Sequence, residues 1–152
     1  MGILDQLRGS RIYLDANIWI YALENFAKYS RSLQALLEAT DAGILTIVTS
    51  ELSLSEILVK PYRETDVAKQ KSYTEFLVDT TNVTALPIER DILISAAKIR
   101  ANTKLKLPDA IHAASAMASE CTTFLTNDKA FQTVPGLHVV LLSQAAEKTD
   151  SD

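Results

Sequence analysis

Short apolar runs alternate with segments of helical period along this chain, and that alternation constrains the fold more than any other feature. The runs are Ile12–Leu14, Ile44–Val48 (ending at Thr49-Ser50), Val83–Leu86, Thr122–Leu125 and Leu137–Leu142. Each has the length and the apolar content of a buried strand. Between them lie residues spaced for helices. The clearest helical stretch starts at Ser30, where Leu33, Leu36, Leu37 and Thr40 recur on one face and Gly43 closes the run. Strands that alternate with helices argue for a parallel sheet covered on both faces.

The other helices expected are Ile18–Leu23, Glu51–Val59, Arg63–Leu77, Glu89–Ala101 and Asp109–Glu120. Ser50 is placed to cap the second of these, and Pro61 to stop or bend it. Ile92, Leu93, Ala96, Ala97 and Ile99 give a wide apolar face. Pro108 suits the first position of the next helix, whose Ala, Ser and Met content allows close packing on a sheet. Asn102–Leu107 reads as a lysine-bearing loop, Thr126-Asn127-Asp128 as a turn and Lys129–Phe131 as a short helical piece. No repeat or interdomain linker interrupts the pattern. Residues 1–146 are therefore expected to form one α/β domain, and 147–152 a disordered tail.

A chain of 152 residues is large enough for a substantial core. Its net charge of −4 excludes nucleic-acid binding by bulk electrostatics, so a phosphate substrate needs a local basic patch or a metal ion. The lone Cys121 permits no internal disulfide, and with only two histidines a structural zinc site is not expected. No apolar run reaches the roughly 20 residues of a membrane span. The opening MGILDQLRGS has no signal-peptide pattern, so a cytoplasmic protein is expected.

The acids carry the chemistry. Asp15 follows the first strand run and Asp128 the fourth. Asp109 opens the helix before the fourth strand, and Glu56 lies in the helix after the second. Each has a plain structural reading. Asp15 or Asn17 can cap a helix. Asp109 suits a helix first turn, and Asp128 an ordinary turn. Glu56 sits between Leu52 and Val59 on its helix, where a carboxylate in an apolar stripe needs a partner. Strand ends and the following helix starts share one edge of a parallel sheet, where ligands bind in such folds. Two carboxylates about 4 Å apart repel by about 4 kcal/mol at an effective dielectric of about 20. A cluster of them takes up protons or a divalent cation. Oxygen donors favour Mg²⁺ or Mn²⁺ over zinc. Such an ion suits phosphodiester hydrolysis.

Four segments, LDANIWIYA, TSELSLSEIL, LPDAIHAASA and FLTNDKAF, occur in this order. Together they resemble the PIN-domain ribonucleases, in particular the toxins of VapBC-type toxin–antitoxin pairs. The resemblance runs from about Ile12 to Leu142. It implies a five-stranded parallel sheet in the order 3-2-1-4-5, Mg²⁺ or Mn²⁺ dependence and RNA cleavage. It also implies a small antitoxin partner and frequent homodimerisation. The family's acids map onto Asp15, Glu56, Asp109 and Asp128, with Asn17 and Thr126 at auxiliary polar positions. Asp15, Asp109 and Asp128 would hold the metal, and Glu56 would complete the cluster or orient the attacking water. Glu51 is better read as a first-turn helix acid.

His112, one turn after Asp109, reads as a hydrogen-bonded packing histidine, with a general-base role as the alternative. Lys60, Arg63, Lys104, Lys106 and Lys129 fall near the proposed edge and are candidate RNA-phosphate contacts, or plain surface residues. Trp19 and Tyr21 fit core packing better than base stacking, and Cys121 reads as packing. A phospho-acceptor signalling domain also gathers acids and Mg²⁺ at a sheet edge. It needs an aspartate ending the third strand, where this chain has Leu86-Pro87. A non-catalytic binding module on the same fold is the other alternative, and the full set of four acids argues against it.

Overall fold

The computed structural model describes residues 2–150. Its strands are β1 Arg11–Leu14, β2 Thr46–Ser50, β3 Val83–Leu86, β4 Thr123–Thr126 and β5 Val139–Leu141. Its helices are α1 Ala16–Leu23, α2 Ser30–Asp41, α3 Leu52–Arg63, α4 Val67–Val78, α5 Arg90–Asn102, α6 Leu107–Ala118 and α7 Leu142–Asp150. The sheet is parallel throughout, in the order β3-β2-β1-β4-β5. The expected fold class and strand order both hold.

Alternating residues of β1 divide the core. Ile12 and Leu14 pack with Ile18, Trp19, Leu36, Ile57, Leu77 and Leu142, under α1 to α4 and α7. Tyr13 faces the other way and joins Ile92, Ala96, Phe124, Phe131 and the alanines of α6. Ala110, Ala113, Ala114 and Ala116 are all buried, so the small side chains of α6 do bring it close to the sheet. Trp19 is wholly buried and meets Phe76 edge-on, with ring centroids 5.9 Å apart. It is a core residue, as expected.

Several boundaries differ from the pattern reading, each for a local reason. The second strand begins at Thr46 because the Ile44 and Leu45 N–H groups both bond to the Ala39 carbonyl, closing α2 around Gly43. Ile44 is left 65% exposed. Pro61 neither stops nor ends α3. It is buried inside the helix, and its carbonyl accepts from the Asp66 N–H. Packing outweighs the hydrogen bond that proline forfeits. The fourth helix consequently starts at Val67, capped by the Asp66 carboxylate on the Lys69 N–H, rather than at Arg63. The last strand is only Val139–Leu141. Leu142 begins α7, whose Ser143 N–H donates to Asn127 Oδ1. That helix extends through residue 150.

Candidate active site

The carboxyl ends of β1, β2 and β4 meet beside the starts of α1, α3 and α6. Hydrogen bonds pin the strands there. Thr49 Oγ1 donates to the Leu14 carbonyl at 3.0 Å and lies 2.8 Å from Ser53 Oγ. Its single hydrogen is spent on Leu14, so Ser53 is the donor in the second bond.

Asp15 ends β1 and is 5% exposed. Its Oδ1 accepts from the N–H groups of Asn17 (3.1 Å) and Ile18 (3.3 Å), which makes Asp15 the N-cap of α1. Its Oδ2 accepts from the Thr126 hydroxyl in a short hydrogen bond. Thr126 Oγ1 in turn accepts the Asp128 N–H at 3.0 Å. Thr126 is the last residue of β4, wholly buried, rather than part of a turn. It links the two aspartates. Burial raises the Asp15 pKa, against the lowering effect of Thr126, His112 and the two backbone donors.

Asp109 lies in the first turn of α6. Its carboxylate has no hydrogen bond or salt bridge among the described residues. Burial raises its pKa, and the charges of Asp128 and Glu56 add to that, while His112 and Lys106 oppose it. Asp128 caps the short 3-10 turn Lys129–Thr133 through the Ala130 N–H at 2.9 Å. Glu56 projects from α3, and its Oε1 lies 2.6 Å from His112 Nε2. The apolar stripe inferred around Glu56 is misplaced. The buried face of α3 is Ser53, Ile57 and Pro61, and Val59 is 43% exposed.

Asp15, Asn17, Glu56, Asp109 and His112 line one small cleft together with Ala16. Asp128 adjoins it, near enough to raise the Asp109 pKa. The four sequence-predicted acids thus converge on one edge. Asp15 caps a helix and lines the cleft with the same carboxylate, and Asn17 lines the cleft without capping. None of the five basic candidates lines it. Lys60 pairs with Glu24 at 3.2 Å, Arg63, Lys104 and Lys129 are exposed, and Lys106 immediately precedes α6. Glu51 is exposed at the N-cap of α3 and does not line the cleft. The residue that sequence reasoning missed is Tyr13. Its hydroxyl lies 2.7 Å from His112 Nδ1, and only its place two residues before Asp15 hinted at the site.

Among the described residues, no group of three His, Cys, Asp or Glu side chains forms a ready-made cation site. The donor chemistry nonetheless fits an oxygen-seeking cation. Asp109 is half-buried and unpaired, and two acids of the cleft are held above their ordinary pKa.

The PIN-domain family model matches residues 12–137. This chain belongs to the PIN-domain family. Comparison with curated proteins returned no match. Solved structures share the fold of this PIN domain. VapBC2 from Rickettsia felis, bound to a DNA fragment from its promoter, aligns with a TM-score of 0.67 and 20% identity, covering 86% of this chain and 98% of that one. A toxin–antitoxin complex from Klebsiella pneumoniae gives a TM-score of 0.62 and 27% identity, over 86% and 97% of the two chains. VapC20 from Mycobacterium tuberculosis, a toxin that cleaves the sarcin–ricin loop, gives 0.60 and 14% identity, over 74% and 86%. No helix among the described residues is long and apolar enough to cross a membrane.

Proposed function

We propose that this PIN domain is a Mg²⁺- or Mn²⁺-dependent endoribonuclease and the toxin of a VapBC-type pair. The observation that carries the nuclease reading is the convergence of Asp15, Glu56 and Asp109 on one cleft at the carboxyl edge of the sheet, with Asp128 beside it. The toxin reading is supported by structures of the same fold, a VapBC complex, a toxin–antitoxin complex and a toxin that cleaves the sarcin–ricin loop. The partner in that reading is a small antitoxin, as in the toxin–antitoxin complexes, and the protein is taken to act in the cytoplasm as a homodimer.

In this reading Asp15, Asp109 and Asp128 would hold the cation, with Glu56 contributing through water. A cation held there would supply a nucleophilic water at neutral pH and offset charge on the phosphoryl oxygen. The protein's own residues do the rest. Thr126 and the α1 backbone N–H groups hold the Asp15 carboxylate in one orientation. Glu56 takes the proton of the attacking water or orients it. Lys106, next to Asp109, attracts the RNA backbone to an otherwise acidic edge. Lys104, Lys129, Arg63 and Lys60 extend that path. Lys60 contributes least because Glu24 already neutralises it.

Purified protein should cleave single-stranded or looped RNA with Mg²⁺ or Mn²⁺ and lose this in EDTA. Asp15→Asn keeps a capping side chain for α1 and should abolish cleavage with circular dichroism unchanged. Undiminished cleavage by Asp15→Asn, or full activity in EDTA, refutes the proposal.

A further inference from the structure

Resting on the nuclease reading, one feature of the cleft assigns work to residues outside the acidic set. His112 is 1% exposed, and both of its ring nitrogens are occupied. Nδ1 meets the hydroxyl of Tyr13 at 2.7 Å, and Nε2 meets Glu56 Oε1 at 2.6 Å. The three residues come from β1, α6 and α3. They run from the wholly buried core outward to a carboxylate whose side chain is 34% exposed.

The chemistry of the groups gives this chain a direction. An ionised carboxylate can only accept, so Nε2 carries a proton and donates to Glu56. When the ring carries this single proton, Nδ1 is bare and accepts a hydrogen bond; an imidazolium, the form that lowers the Asp15 and Asp109 pKa, would turn that bond around. Tyr13 supplies the hydrogen bond to the bare nitrogen, because a phenol is an O–H donor at neutral pH and its oxygen lies 2.7 Å from Nδ1. Tyr13 is itself wholly buried. Its ring stacks on Phe124 with centroids 5.0 Å apart and planes 9° from parallel. A tyrosine packed into the core thus sets the histidine tautomer, and the histidine sets the carboxylate.

We propose that Tyr13 and His112 are positioning residues that hold Glu56 through an O–H···Nδ1 and Nε2–H···Oε1 chain, leaving Oε2 for the attacking water. Without this chain, Glu56 is a flexible side chain on a surface helix. Removal of a partner that orients an active-site ligand typically costs 10–100-fold in activity.

Two readouts test it. The chain contains only two histidines, His112 and His138, so ¹⁵N-histidine labelling gives two ring systems, assigned with His138→Gln. At neutral pH the His112 ring should show the Nε2–H tautomer, and Tyr13→Phe should shift the Nδ1 resonance. A ring protonated on Nδ1, or one indifferent to Tyr13→Phe, overturns the proposal even if the protein cuts no RNA. The second readout is kinetic. His112→Gln places an amide donor near the Nε2 position, and His112→Asn places its amide near Nδ1. His112→Gln should retain most of kcat, and His112→Asn should lose about 10–100-fold in kcat with KM little changed. Equal kcat in these two variants, at matched thermal stability, also overturns it. RNA cleavage by the wild type is scored separately, so failure of the nuclease reading and failure of the positioning chain are distinguishable.

Discussion

The acid cluster makes a stability prediction with an unusual sign. Asp109 is a half-buried carboxylate with no hydrogen-bond partner among the described residues, and burial, then Asp128 and Glu56, disfavour its charge. Replacing it by Asn removes that charge while keeping the size. Relief of an unfavourable charge at such a site is worth about 1–2 kcal/mol after allowance for solvent screening. The substitution also gives up a favourable first-turn interaction with the α6 dipole, worth about 0.3–1 kcal/mol. The balance is a net stabilisation of up to about 1.7 kcal/mol. For a chain of this size that raises Tm by up to about 7 °C. The pH dependence follows from the direction of the shift. A carboxyl group whose folded pKa is raised binds its proton more tightly folded than unfolded. Its contribution is therefore most favourable in acid and declines as pH rises from the unfolded value through the folded one. The advantage of Asp109→Asn should accordingly vanish in acid and be complete at neutral pH. A divalent cation should reverse the order. At a hundredfold excess over Kd the wild type gains about 2.7 kcal/mol, and a variant lacking a ligand gains much less. Thermal melts in EDTA and in Mg²⁺ or Mn²⁺, at acidic and neutral pH, measure all of this. If folded Asp109→Asn melts below wild type in EDTA at neutral pH, the site is not charge-frustrated and the reasoning is wrong.

Two further perturbations probe the scaffold of the site. Thr126→Val preserves shape but deletes the donor to Asp15 and the acceptor for the Asp128 N–H. It should cost about 2–3 kcal/mol, seen as a drop in denaturant midpoint, and impair RNA cleavage as well. A variant with wild-type stability would show that Thr126 contributes little to holding Asp15. Gly9→Ala combines a positive φ of 69° with a Cβ that would overlap the Thr122 side chain, away from the cleft. It should lower stability by about 1–3 kcal/mol in thermal melts, with cleavage per folded molecule unchanged. Loss of activity without loss of stability would contradict that reading.

Residues 12–14 illustrate how far local pattern carries. The run Ile12–Leu14 and the carboxylate at Asp15 are legible as strand and strand end, because period and polarity are properties of adjacent residues. The helical spacing from Ser30 and the small residues of the Asp109 helix are legible for the same reason. Together these are enough for a parallel α/β sheet and for the candidate acids. Boundaries are less legible where a distant contact decides them. Pro61 reads locally as a helix breaker, yet α3 runs through it to Arg63 with the proline buried. Leu142 reads as strand, yet the Asn127 side chain caps a helix there from 16 residues away in sequence.

The site divides the same way. By itself the chain determines which residues can ionise and which strands and helices carry them. Tertiary structure decided their states and partners. Asp15 is at once a helix cap and a buried acid because Thr126, 111 positions later, closes over its second oxygen. Asp109 is frustrated because Asp128 and Glu56 approach it from other elements. His112 is neither a bare packing residue nor an isolated base. Folding sets it between Tyr13, 99 residues earlier, and Glu56, 56 residues earlier. Hydrogen bonding and desolvation act over a few ångströms in space. Separation along the chain carries almost no information about them.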